Sequence, residues 1–344
     1  MTASPALPRR FASVDELEAF LAAPSPALVA EMKAIAGDLL ILGVAGKMGP
    51  TLACLAKNAS PSRRVIGVAR FSDAAVRERL DAWGVETIAC DLLDREAIAA
   101  LPDAPNLIFA AGHKFGASGN TPLTWAMNTW VPSVVAERYQ ASRIVAFSTG
   151  NVYPLTRIGS PAPTERSPTG PIGDYAQSCL GRERMFEYFS ARYRTPGRIF
   201  RLNYAIDMRY GVLFDIASKV KTGEPVDVTM GHVNVIWQGD ANEQVLRCLA
   251  HCTTPATPLN GTGLEALSVR GLANGLGERL GVAAKIVGRE AETALLSDAS
   301  EAARLFGPPS VPIGTMLDWV ADWVAHDGAS LGKPTKFEVR DGTF

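Results

Sequence analysis

Leu39-Leu40-Ile41-Leu42-Gly43-Val44-Ala45-Gly46-Lys47-Met48-Gly49 is the stretch on which the reading of this chain turns. Four consecutive apolar residues suit a strand buried on both faces, as in a parallel sheet. The G-x-x-G-x-x-G that follows lets the backbone turn sharply, and Pro50 to Ala56 continues as a mostly apolar helical stretch. In that order, strand, turn and helix start offer unpaired N–H groups and the positive end of a helix dipole to a pyrophosphate. The stretch therefore predicts a dinucleotide site on Gly43, Gly46 and Gly49, with Lys47 and Met48 inside the turn.

Working outward, short apolar runs alternate with helical stretches. Strands are expected at Val65–Ala69, Glu86–Cys90, Asn106–Ala111, Arg143–Ser148 and Arg198–Tyr204. Helices are expected at Asp73–Trp83, Asp94–Leu101, Leu123–Tyr139 and Tyr175–Arg192. This alternation implies a parallel sheet covered on both faces. Between Pro154 and Asp174 the chain is rich in Pro, Gly, Ser and Thr, which marks a long loop of the kind that often forms lids or binding segments. Beyond Tyr204 the units shorten: helices at Gly211–Thr222, Ala241–Cys252, Val269–Leu280 and Met316–Val324, and a strand near Val226–Met230. Ahead of the first strand, the capping box Ser13-Val-Asp-Glu16 and the pair Ser25-Pro26 open two helices, expected to pack outside the sheet.

Composition narrows the classes. The 344 residues are 47% hydrophobic and 20% charged, enough for a sizeable core. A net charge of −1 gives no electrostatic case for nucleic acid or an anionic membrane surface. No apolar run approaches the ~18 residues of a membrane span. Arg9 and Arg10 precede no apolar signal core, and the five scattered cysteines suit a reducing compartment, so a cytoplasmic protein is expected. Cys248-x-x-His251-Cys252 lacks a second ligand pair, so no metal site is expected. The partner expected is a small-molecule substrate; a homodimer is compatible with the sequence, which sets no oligomeric state.

Landmarks further along the chain fall in a telling order. Cys90-Asp91-Leu92-Leu-Asp94, Ala110-Ala111-Gly112, Asn128, Ser148-Thr149-Gly-Asn-Val152-Tyr153, Pro163-Thr-Glu165, Pro171, Tyr175, Arg201-Leu-Asn203-Tyr and Gln238-Gly-Asp240 follow the glycine turn. Over residues 38 to 325 the chain resembles the extended short-chain dehydrogenase/reductase family, the nucleotide-sugar epimerase and dehydratase group. The resemblance implies a Rossmann-type doubly wound α/β domain over 38–204 and a smaller mixed α/β substrate lobe over 205–330. A helical extension over 1–37 and a tail over 331–344 flank them. It also implies cofactor contacts from the glycine turn, Asp91 and Leu92, Ala110 to Gly112, Asn128, Tyr175 and Asn203. Thr149 would hold the substrate oxygen, and Tyr175 would move its proton as hydride passes at the same carbon.

One residue departs from the pattern. The family's Tyr-x-x-x-Lys aligns with Tyr175-Ala-Gln-Ser-Cys179, so cysteine stands where a lysine should favour tyrosinate and hold the nicotinamide ribose. A phenol near pKa ~10 is about one part in a thousand ionised at pH 7, and a neutral thiol supplies no charge. Lys114, just past the fourth strand, is the candidate replacement cation, and a lysine restored at 179 should then be accommodated. Arg182 and Glu183 read as a solvated or paired helix face. At the end of the second strand, Ala69-Arg70-Phe71-Ser72 lacks the acid that would hold a ribose 2′-hydroxyl. An arginine there suits a 2′-phosphate, so NADP is expected, with NAD the alternative. Two functions follow: an enzyme of hydride transfer on a sugar-like or hydroxy-acid substrate, or a redox-silent cofactor-binding protein.

Overall fold

The computed structural model describes residues 7–114, 119–333 and 335–343. Seven strands build its central sheet: β1 (Leu39–Leu42), β2 (Val65–Ala69), β3 (Glu86–Ala89), β4 (Asn106–Phe109), β5 (Arg143–Thr149), β6 (Gly197–Leu202) and β7 (Thr257–Gly261). They lie in the order β7-β6-β5-β4-β1-β2-β3, and every neighbouring pair is parallel. This is the Rossmann-type α/β fold. The order reverses at β1, which is flanked by β2 and β4. Connections leaving the carboxyl ends of β1 and β4 diverge there and leave a crevice.

The alternation of side chains along each strand assigns the two layers. In β1, Leu39 and Ile41 belong to one core, Leu40 and Leu42 to the other, and all four are buried. The first face is covered by Leu28 and Met32 of α2 (Pro26–Ala34), Leu52 and Leu55 of α3 (Gly49–Ala59) and Leu80 of α4 (Ala74–Ala82). Ile98 of α5 (Arg95–Ala100), Val131 and Val135 of the helix Val131–Arg138, and Phe186 of the helix Gly173–Tyr193 cover the second. Each such burial contributes about 1.5–3 kcal/mol.

The expected helix Leu123–Tyr139 is three joined pieces: α6 (Thr121–Trp125), a π-helical turn at Ala126–Trp130, and α7 (Val131–Arg138). It is followed by α8 (Gly173–Tyr193), which carries Tyr175 in its first turn. A third apolar centre, away from the sheet, gathers α9 (Val212–Thr222), α11 (Val269–Leu280) and α13 (Ile313–Ala325). Between them in sequence, α10 (Gln238–Arg247) and α12 (Ser300–Phe306) return to the sheet, placing Val245, Leu246 and Ala302 in its first core.

Several expectations are corrected. The sheet does not end near Tyr204, because Thr257–Gly261 adds its seventh strand. Pro258 has no N–H to give, which an edge strand tolerates. The first N-terminal helix, α1 (Val14–Leu21), lies outside the sheet but not on it: Leu17 and Leu21 join Trp237 and Trp319 in the third core. The strand near Val226–Met230 shrinks to Val226–Asp227, and the helix expected over Ala241–Cys252 ends at Arg247 in a 3₁₀ turn. In the tail, whose role the sequence leaves open, Phe337 is fully buried in the third core, and Arg340 donates to the Thr293 carbonyl at 2.6 Å.

Candidate active site

The crevice at the switch point is a cleft of about 480 Å³ that the glycine turn lines along with Arg70, Asp91, Leu92 and Ala110 to Gly112. Gly43 adopts φ +88°, and a Cβ there would meet the Ala111 nitrogen at 2.5 Å, so glycine lets β1 turn against the end of β4. No side chain caps the N-terminus of α3, and Gly46 to Gly49 at its start line the cleft, where a bound anion would meet the positive end of the helix dipole. Arg70 and Ser72 are exposed at the cleft's margin. Asp91 accepts from the Leu93 nitrogen at 3.0 Å in its own turn and lines the same cleft. A length of cleft with a glycine turn and a helix start at its centre and polar groups at its rim fits a nicotinamide dinucleotide.

At the cleft's inner end the expected chemical residues come together. Thr149 Oγ1 accepts from the Asn151 nitrogen at 3.2 Å and from Asn151 Nδ2 at 3.1 Å, capping a 3₁₀ turn. The same hydroxyl and the Cys179 thiol hydrogen-bond the Tyr175 hydroxyl. Lys114 Nζ stands 6.0 Å from the centre of the Tyr175 ring and donates to the Thr335 carbonyl at 3.3 Å. Burial pushes the Tyr175 phenol well above 10, and Cys179 adds to this, against the pull of Arg182 and the Thr149 bond. Burial likewise raises the Cys179 thiol. Both groups are therefore protonated at neutral pH.

Arg182 and Glu183 form no solvated face. Arg182 donates to Asn128 Oδ1 at 2.7 Å and to the Phe147 carbonyl at 2.9 Å, and it lines the cleft. A Cβ on Gly112 would meet its Nη2 at 2.6 Å, so glycine is what lets the guanidinium lie beside the β4 turn. Sequence reasoning misses Arg182, although a signal is present: Tyr175, Cys179 and Arg182 are spaced i, i+4, i+7 on one helix face. Glu183 is fully buried, pairs with Arg201 at 2.6 Å and accepts from Ser148 Oγ at 2.5 Å. Carried by β5, β6 and α8, this group fixes the strand end bearing Thr149 relative to the helix bearing Tyr175.

Two expected cofactor residues stand elsewhere. Asn128, on the π-helical turn, is buried, with its amide spent on the backbone of His113, on Ser178 and on Arg182. It shapes the loop after β4 rather than lining the cleft. Asn203 lines a smaller inner cavity of about 160 Å³ beyond Tyr175, bounded also by Lys47, Lys114, Tyr210 and Thr335. Lys47 donates to the Ala205 carbonyl at 2.7 Å, and its Nζ lies 4.1 Å above the Tyr210 ring. Burial lowers Lys47 to about 7, partly offset by Asp207, and lowers Lys114 to about 8. Among the described residues no cluster of His, Cys, Asp and Glu could hold a metal ion, and no helix is long and apolar enough to cross a membrane.

A parallel sheet with a dinucleotide crevice, and a hydroxyl pair at its inner end, defines the class of nicotinamide-dependent enzymes. The sequence profile described as the NAD dependent epimerase/dehydratase family matches residues 39–235, and the chain belongs to that family of enzymes. No curated protein matches the chain significantly by sequence. Similar solved structures include a dTDP-glucose 4,6-dehydratase from Streptomyces venezuelae with NAD bound: 20% identity, TM-score 0.72, covering 84% of this chain and 97% of that one. A UDP-glucose 4-epimerase from Thermus thermophilus in complex with NAD is 18% identical, with TM-score 0.69 and coverages of 83% and 98%. The epimerase Mth375 from Methanothermobacter thermautotrophicus is 19% identical, with TM-score 0.70 and coverages of 89% and 99%. At these identities the likeness is one of fold.

Proposed function

We propose that the protein catalyses hydride transfer at a carbinol or carbonyl carbon of a hydroxylated, sugar-like or hydroxy-acid substrate. The observation that carries this reading is the meeting of Thr149, Tyr175, Cys179 and Lys114 where the cleft opens on the inner cavity. When bound, the nicotinamide ring supplies the acceptor or donor of the hydride. Thr149 fixes the substrate oxygen, and Tyr175 gives or takes its proton. Because the phenol is held protonated, Tyr175 starts as the acid, and Lys114 and Arg182 stabilise any charge it acquires. Those two cations stand in for the lysine that Cys179 replaces.

The glycine turn, with Ala110 to Gly112 and Leu92, would cradle the cofactor, and Arg70 would pair with a 2′-phosphate, which favours NADP. Five free cysteines, four of them buried, support action in the cytoplasm. Nicotinamide absorbance at 340 nm, followed with NADP or NAD and a panel of sugars and hydroxy acids, tests the reading. Turnover that Tyr175→Phe abolishes is the expected result. Turnover unaffected by that change would refute it.

A further inference from the structure

We propose that the inner cavity seats a carboxylate of the substrate between Lys47 and Lys114, so that the substrate is a small sugar acid or hydroxy acid and not a nucleotide-linked sugar. The inference rests on the hydride-transfer reading above and names the substrate class of that same site. Size points this way first. The cavity measures about 160 Å³, against ~300–1,000 Å³ for ordinary ligand pockets. That room suits one sugar-sized body. The tail forms one side of it: Thr335 lines the cavity and is held to Asp215 Oδ2 through its nitrogen at 2.8 Å, while Lys219 pairs with Glu338.

The chemistry of the lining agrees. Two ammonium groups line one small space from different elements, Lys47 from the glycine turn and Lys114 from the loop after β4. Asp207 binds Arg209 through both oxygens, and Asp215 serves Thr335. A carboxylate provides acceptors for both ammonium groups. It also restores the charge that desolvation takes from both lysines.

The test is equilibrium binding by calorimetry to the full chain saturated with NADP or NAD. The probes are D-gluconate, D-glucuronate, L-lactate and D-glycerate; their neutral counterparts D-glucitol, D-glucose, 1,2-propanediol and glycerol; and glucose 6-phosphate and UDP-glucose. An acid should bind at least tenfold more tightly than its neutral counterpart and more tightly than the phosphate or the nucleotide sugar. Lys47→Met should weaken that acid ten- to a hundredfold, a larger factor than any loss of cofactor affinity measured in the same variant. No acid exceeding its neutral counterpart, or UDP-glucose or glucose 6-phosphate binding best, would overturn the inference. Neither result touches the hydride-transfer reading, which fails separately if Tyr175→Phe leaves turnover intact.

Discussion

The ammonium of Lys114 stands 6.0 Å from the centre of the Tyr175 ring, on the side where the cleft meets the inner cavity. In the proposed reaction the pair acts together. Lys114→Ala should lower kcat by one to a few powers of ten, each about 1.4 kcal/mol of barrier. Tyr175→Phe should cost about 10²-fold or more, the scale of a lost general acid. Steady-state kinetics with cofactor saturated checks both, and Lys114→Ala with wild-type kcat would remove Lys114 from the chemistry.

Arg70, exposed beside the cleft, is expected to set cofactor choice. Wild type should bind NADP more tightly than NAD. Arg70→Ala should erase the difference by weakening NADP about tenfold, the loss of one charge-assisted contact in a wet site. Fluorescence titration with both cofactors measures it. A wild type that prefers NAD, with no change in the variant, would leave Arg70 a surface residue.

From the sequence, position 179 should accept lysine readily, but its surroundings alter that expectation. Cys179 is 1% exposed and lies near Arg182 on the same helix face. A lysine there would bury a second cation and overfill the site, at a cost on the order of 3 kcal/mol. Cys179→Lys should therefore lower the urea midpoint, and adding Arg182→Leu should recover much of the loss. If the single variant is as stable as wild type, Arg182 is not the cation that occupies this space.

What can be read in the sequence follows periodicity and glycine. β1 and its turn are legible because four apolar residues and three glycines each meet a local demand of burial or backbone geometry. β7 is not, since Thr257-Pro-Leu-Asn-Gly261 has the composition of a loop and becomes a strand only by pairing with β6. Local motifs point to Thr149 and Tyr175, and the structure sets them in one site. Arg182 stays hidden because its neighbours, Asn128 and the end of β5, are distant in sequence. The inner cavity is likewise an assembly of distant parts. Lys47, Lys114, Asn203 and Thr335 come from four separate segments, and no spacing announces their meeting.

Lys47 should also carry a cost for the fold. Its pKa in the folded protein is lowered to about 7 by burial, far below the value of a lysine in an unfolded chain. Between those two values the unfolded state binds more protons than the folded state, so stability rises with pH across that interval. At pH 7 the unfolded lysine is fully charged, whereas the folded one is about half charged and poorly solvated. Discounted for water in the cavity, the penalty is about 1–3 kcal/mol. Lys47→Met, similar in length and uncharged, should therefore stabilise the ligand-free protein by roughly that amount at pH 7. The gain should shrink towards zero as the pH approaches 10. Urea unfolding of both proteins at pH 7 and pH 9.5 measures this. A destabilised variant, or a gain independent of pH, would mean that the ammonium of Lys47 is a support of the fold and not a charge retained for binding.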